Sequence, residues 1–334
     1  MKTLAVKEQI KFEPGVPVHV EFFRAGHYPA HFHPSTPELL LCLEGSATIR
    51  ACNAEKELRP GSTFSMDASD IHCIYSDEDN LLMSLHIDPS QLDVPPDTMT
   101  NCFLELDDET VSSLQIQPLY QVLDRMISLA YQLLSGIAGS GGADAAGTNA
   151  DSTETVRKQS NQLVDLLLRN FDWLSFIPDP YYTNRQFHER CKRIMAYCLE
   201  NYTQKISISQ VAEMEHINEN YLSAFMKRTS LGGFKNSVNF IRCYYAEHLL
   251  LNTDDDVIDI SSQCGFSDPK YFYAAFKSMW DCTPAKHRKW YREYASVGSD
   301  VRILDADKAK AALDRFLPGY HQQKMTALMD VKTT

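Results

Sequence analysis

The sequence has no Cys-x-x-Cys pair, although it holds nine cysteines. They are Cys42, Cys52, Cys73, Cys102, Cys191, Cys198, Cys243, Cys264 and Cys282, odd in number and scattered. That spacing suits a reducing compartment better than a disulfide framework or a zinc finger. Nothing in it marks an activated catalytic thiol. Long apolar runs are missing too. No stretch reaches the roughly 18–20 continuous apolar residues of a membrane span. The opening MKTLAVKEQIKFEPG shows no secretory leader. A cytoplasmic protein with no membrane partner is expected. Positive charge is also scarce: the net charge is −12, which argues against a nucleic-acid binder if the chain acts as one body.

The charge is unevenly spread. Residues 185–294 hold 15 Lys+Arg and 13 Asp+Glu, about +2, which leaves 17 and 31, about −14, for the rest. The C-terminal third is therefore the part that can approach phosphates.

Residues 16–88 read as short strands broken by Gly, Pro, Asp and Asn: VHVEFF, ELLLCLEG, ATIRAC, GSTFSM, IHCIYS and LLMSLHI. This pattern predicts an all-β sandwich or barrel. Periodicity then changes. Leu119, Val122, Leu123, Met126, Leu129, Ala130 and Leu133 fall at three- and four-residue spacing, one apolar stripe on a helix over about 118–135. A second amphipathic helix is expected over about 156–174. The two stripes either pack on their own domain or mate with a second chain. Between them lies GIAGSGGADAAGTNADST (136–153), read as a flexible loop. FIPDPYYTN (176–184) reads as a proline-bearing joint, and a further helix is expected in DADKAKAALDRFL. The expected division is a sensor domain at 1–95, a helical linker or dimerisation region at 96–183, a helical domain at 184–294, and an extension at 295–334 with no assigned role.

The helical domain repeats itself weakly. Val211-Ala212 matches Ile260-Ser261, His216-Ile217-Asn218 matches Gly265-Phe266-Ser267, and Tyr221-Leu222 matches Tyr271-Phe272. Each unit is a short helix, a tight turn and a longer helix capped by Asn218 or Ser267, the helix-turn-helix pattern. Gly265 suits a turn of positive φ, and His216 stands in the corresponding place. Phe272 and Phe276, at i and i+4, are expected in the core, as are Leu222, Phe225 and Met226. Asn220, Ser223, Ala224 and Lys227 are left facing out in the first unit, and Lys270, Tyr273, Ala274 and Lys277 in the second. With Arg228 and Arg242, these are the candidate DNA contacts.

Residues 184–292 resemble the AraC/XylS family of bacterial transcription regulators. The resemblance rests on Asn201-Tyr202, Val211-Ala212, YLSAFMKR, Phe234 followed by Arg242, Ala246 and Leu249-Leu250, then GFSDPKYF, Phe276-Lys277, Thr283-Pro284 and Arg288. It implies two helix-turn-helix units joined by a long helix over about 234–251, which presents its reading heads to successive major grooves about 34 Å apart. It also implies double-stranded DNA as partner and a homodimer. His216, Leu231 and Asp281 replace glycines usual in the family, and Ala224 and Ala274 stand where basic residues are common.

Near the N-terminus, HFHPSTPELLLCLEG gives His31-x-His33-x4-Glu38-x6-Gly45, and Gly61 lies 11 residues before His72. On a strand, His31 and His33 share a face. The pattern resembles the two motifs of the cupin barrel, which implies that His31, His33, Glu38 and His72 converge on one interior point. Asp67 and Ser69 depart from the second motif. Two readings stay open. The four residues line a pocket for a small polar effector, such as a sugar or other metabolite. Or they hold a divalent metal, as a metal sensor or as a metal-dependent cupin enzyme fused to a DNA-binding domain. The family implied by the C-terminal part carries sensor barrels and is not expected to be enzymatic. The fold expected is thus multi-domain: an all-β cupin-like barrel, a helical linker, and an all-α domain with two helix-turn-helix units.

Overall fold

The computed structural model describes residues 4–52, 54–95, 99, 103–137, 146–172, 185–229, 231–295 and 297–333. The N-terminal strands are β1 (Val6–Lys7), β2 (Val18–Phe32), β3 (Glu38–Gly45), β4 (Ala47–Ala51), β5 (Ala54–Leu58), β6 (Thr63–Met66), β7 (His72–Tyr75) and β8 (Asn80–Ile87). They form a nearly closed, largely antiparallel barrel in the order β5-β4-β7-β2-β8-β3-β6. β2 makes the closure possible. Its first half pairs with β8 and its second half with β7, with an irregular register between Tyr28 and His31. The remaining seam, between β5 and β6, is bridged by Lys56, whose ammonium donates to Thr63 O at 3.3 Å and pairs with Asp107 and Asp108.

Strand alternation sorts the apolar residues onto two faces. Leu40, Cys42, Phe64, Ile74 and Leu82 fill the barrel interior. Leu39, Leu41, Leu43, Leu81, Met83 and Leu85 face outward into a second core built with helices. Those helices are α1 (Ile116–Gln132, continued by a π turn to Ile137), α2 (Ala146–Asn170) and, from the far end of the chain, α10 (Ala306–Thr333). The stripes of α1 and α2 are buried against their own barrel, so they are not free to mate with a second chain. Two expectations change here. The glycine-rich segment expected as a loop through 153 is helical from Ala146, and the second helix ends at Asn170, not near 174. The joint at 176–184 lies outside the described residues.

The extension expected without a role has one. A strand β9 (Asp300–Ile303) pairs antiparallel with β2 at Phe23–Ala25. α10 then lays Ala309, Ala312, Leu313, Phe316 and Tyr320 on the outer core. Arg315 reaches Glu44 at 2.7 Å, and the Tyr320 hydroxyl donates to Asp124 at 2.7 Å.

The helical domain comprises α3 (Arg185–Asn201), α4 (Ile208–Met214), α5 (Glu219–Met226), α6 (Phe234–Asn252), α7 (Val257–Gln263), α8 (Pro269–Trp280) and α9 (Pro284–Tyr294). α6 serves two cores at once. Val238 and Ile241 enter the core of the first unit, with Val211, Leu222, Phe225 and Met226. Cys243, Ala246 and Leu250 enter that of the second, with Ile260, Phe272, Phe276 and Trp280. The barrel rests on the same helix. The Tyr244 hydroxyl donates to Asp70 at 2.8 Å and Leu4 N to Leu251 O at 3.0 Å; from α9, the Tyr294 hydroxyl donates to Ile74 O at 2.8 Å. Among the described residues no helix is long and apolar enough to cross a membrane.

Candidate nucleic-acid interface and barrel site

Local chemistry shapes both helix-turn-helix units. α4 starts on a capping box between Ser207 and Gln210. α5 is capped by Asn218, whose side chain accepts from Tyr221 N at 2.8 Å. In the second unit the cap is Asp268, accepting from Lys270 N at 2.8 Å, with Pro269 in the first turn. Ser267 was the expected cap, but it precedes the capping position by one residue. Both turns require a left-handed residue: Gly265 has φ 80° and His216 φ 53°. At Gly265 a Cβ would lie 2.5 Å from Tyr202 O, so crowding as well as φ demands glycine. Asp281, in place of the third family glycine, ends α8 with φ 50°.

The candidate DNA contacts divide by position. Asn220, Ala224, Lys227 and Arg228 are exposed on or just after α5, with Ser223 half-buried, and Lys270, Tyr273, Ala274 and Lys277 are exposed on α8. Phe272 and Phe276 are fully buried beneath them. A groove of about 640 Å³ takes Ser223 and Lys227 from the first unit and Ser267 and Tyr271 from the second. The two recognition helices therefore open on one side of the domain. Arg242 lines the same groove. Its guanidinium turns onto Tyr202 O at 2.8 Å and Gln204 O at 2.7 Å and lies over the Phe266 ring. It ties the end of α3 to α6 from within the groove. Lys235, on the first turn of α6 in the same groove, was missed. A lone lysine after Gly-Gly-Phe carries no signal until α6 places it between the units.

In the barrel, register brings the site residues together. His31 pairs with His72 across β2 and β7, and Glu38 with His86 across β3 and β8. Suitably placed atoms of His31, His33, Glu38 and His72 lie within 4.8 Å of one another, all buried. Glu38 Oε2 is 3.2 Å from His33 Nε2, 3.1 Å from His72 Nε2 and 3.6 Å from His86 Nε2. Burial alone would raise the Glu38 carboxyl, but His86 and the approach of His33 and His72 hold it well below the usual range. Burial, with His72 beside it, drives His31 well down. Burial opposes charge on His72 as well, yet Glu38 raises it.

His86 is the member that motif spacing did not reveal. The signal was the alternation in LLMSLHI, which puts Leu82, Ser84 and His86 on one face.

The donor set fits a divalent ion. His31 Nδ1 lies 2.8 Å from Pro29 O and His72 Nδ1 2.9 Å from Asp70 O. Each ring thus donates outward from Nδ1 and turns Nε2 inward, as backbone carbonyls behind metal-binding imidazoles make them do. Glu38 Oε2, His72 Nε2, His33 Nδ1 and both ring nitrogens of His86 are buried with no hydrogen-bond partner among the described residues. A divalent ion, or a proton carried on an imidazole, would answer Glu38 Oε2 and the Nε2 atoms that face it.

Comparison with known proteins decides the helical domain. Residues 211–289 match the helix-turn-helix domain family. It is an AraC-type domain. The melibiose operon regulatory protein of Escherichia coli K12 is 24% identical over 145 residues, covering 41% of this chain and 48% of that protein. An uncharacterised HTH-type transcriptional regulator of Staphylococcus aureus MRSA252 is 22% identical over 248 residues, covering 74% of this chain and 30% of its own length. The chain thus spans less than half of these curated relatives. Among solved structures, ToxT from Vibrio cholerae aligns over 82% of this chain and 98% of its own, at 12% identity and a TM-score of 0.41. The AraC-type domain accounts for both helix-turn-helix units and for α6 between them.

Proposed function

We propose that this protein is a sequence-specific DNA-binding transcription regulator acting in the cytoplasm. One observation carries the reading: two helix-turn-helix units share α6, and their recognition helices open on one groove. Lys227, Lys235, Lys270 and Lys277 supply phosphate contacts, while Asn220, Ser223 and Tyr273 reach base edges. Ala224 and Ala274 offer no hydrogen bond there, so affinity leans on phosphates, DNA shape and a second copy of the chain. A homodimer would present four recognition helices, through surfaces other than the buried stripes of α1 and α2. Selection of bound duplexes from a random pool tests this reading. A recovered motif with two elements one helical turn apart supports it, and Lys270→Glu should weaken its gel shift and lower the salt slope by about one unit. No enrichment at low salt overturns it.

The barrel is read as the sensor and not as an enzyme. The donor atoms of His31, His33, Glu38 and His72 span 4.8 Å, the size of one ion's coordination shell and too tight for a sugar between them. This favours a divalent metal over a polar metabolite at that point. Bound there, the ion would neutralise Glu38 and fix the imidazole orientations. His72 would pass its position to Asp70, and Asp70 to Tyr244 on α6, through the two hydrogen bonds already present. An effector that favours one arrangement of α6 shifts DNA affinity by linkage. Metal analysis after chelator-free purification tests the ion. Substoichiometric metal that His72→Ala leaves unchanged would refute it.

A further inference from the structure

A cleft of about 270 Å³ lies outside the histidine cluster, between the barrel rim, the segment 103–110 and α6. Its apolar walls are Phe64 from β6, Phe103 from the connecting segment and Phe240 from α6. Its polar wall is acidic: Asp67, Asp70, Glu105 and Asp107 line it, and no lysine, arginine or histidine does. Two of those carboxylates are already answered. Asp107 pairs with Lys56, and Asp70 accepts the Tyr244 hydroxyl. Asp67 is not. It accepts one backbone amide, Leu104 N at 2.9 Å, and no cation pairs with it among the described residues. Its neighbour Asp70 lies close enough to accept from Asp67 N at 2.8 Å, so two carboxylates crowd one wall.

We propose that this cleft is a binding site for a small hydrophobic amine, its ammonium against Asp67 and its apolar body among Phe64, Phe103 and Phe240. Burial, with Asp70 beside it, pushes the Asp67 carboxyl well above the ordinary range, so a ligand cation would replace the proton that otherwise relieves it. The volume is at the small end for ligand pockets, which sets the class at a single ring or short branched chain. A flat acidic surface would bind any cation weakly. The aromatic lining selects one with an apolar body and adds cation–π attraction. The cleft is shared by barrel and α6, so an occupant would brace one against the other without entering the histidine cluster.

The test uses the full chain and three probes of similar shape: phenethylamine, phenylpropionate and phenethyl alcohol, followed by calorimetry and by the melting temperature. The amine should bind saturably and raise the melting temperature, with affinity at least about tenfold above the anion and the alcohol. Asp67→Asn should remove that preference. Should Asp67→Asn fail to fold, Thr110→Arg replaces it: Thr110 is an exposed lining residue, and the added guanidinium should compete the amine away by a similar factor. Equal binding of amine and anion, no saturable amine binding up to about 10 mM, or amine binding unchanged by whichever variant folds would each overturn the proposal.

Discussion

Glu247 sits in the middle of α6, 1% exposed, and accepts from two partners of the second helix-turn-helix unit. Trp280 Nε1 at the end of α8 lies 3.1 Å from its Oε1, and His287 Nε2 on α9 lies 2.7 Å from the same atom. Glu247→Ala removes the carboxylate that answers a buried imidazole. Breaking a buried pair from one side costs about 3–5 kcal/mol, and an orphaned indole N–H adds about 1–3 kcal/mol. Against a total of about 5–15 kcal/mol for a domain, that loosens α7–α9 while the core of the first unit, which lacks these residues, stays shut. Hydrogen exchange read by mass spectrometry should show faster exchange in peptides of 257–294 and little change in 208–226. Glu247→Gln keeps an acceptor and should cost only about 1–1.5 kcal/mol.

The same pair sets a pH dependence. Burial disfavours charge on His287, but Cys282 and Glu247 override it and raise its pKa. A raised folded value means the imidazolium stabilises the fold fully below the unfolded value of about 6.5 and ceases to as pH climbs through the folded value. The second unit should therefore be firmer at pH 6 than at pH 9, and Glu247→Gln should flatten that difference. Exchange in 257–294 unaltered by Glu247→Ala would refute the assignment of this carboxylate as the tie between α6, α8 and α9.

Three further outcomes follow from single contacts. Arg242→Ala should lower the melting temperature of the helical domain, each lost charge-assisted bond to a carbonyl being worth about 1.5–3 kcal/mol, yet leave the salt slope of DNA binding untouched; a slope reduced by about one unit would return Arg242 to the phosphates. Lys56→Met should destabilise the barrel by about 3 kcal/mol by stranding Asp107 and Asp108, seen as a lower thermal midpoint, and an unchanged midpoint would show that the seam holds without it. His216→Gly should stabilise the first unit by about 0.5–1 kcal/mol, since an exposed side chain is lost and left-handed strain is relieved; urea titration checks the sign.

Much of the architecture was legible because two kinds of periodicity do not resemble each other. The strands from VHVEFF to LLMSLHI and the stripe of α1 follow from alternation and from three-four spacing. Other parts were hidden for physical reasons. β5 is AEKEL, charged at three of five positions, and its inward lysine makes sense only beside two aspartates that arrive 51 and 52 residues later. β9 is a short exposed segment whose strand character comes from its partner β2. In the barrel site, the motif supplied His31, His33, Glu38 and His72, but His86 enters through cross-strand register with Glu38. The carbonyls of Tyr202 and Gln204 that Arg242 meets were hidden too, because a charge on a long helix looks the same whatever waits for it.

The return of β9 and α10 to the barrel makes the reading module an inserted loop of the chain and not a tail. It is moored at both ends. On the outgoing side only residues 295–299 separate α9 from β9, a leash of about 20 Å at full stretch. Reading heads on such a mooring can pivot, but they cannot swing freely about the barrel to find half-sites of any orientation. A chain cut after Tyr294 would gain that liberty and at the same time strip a strand and a helix from the sensor.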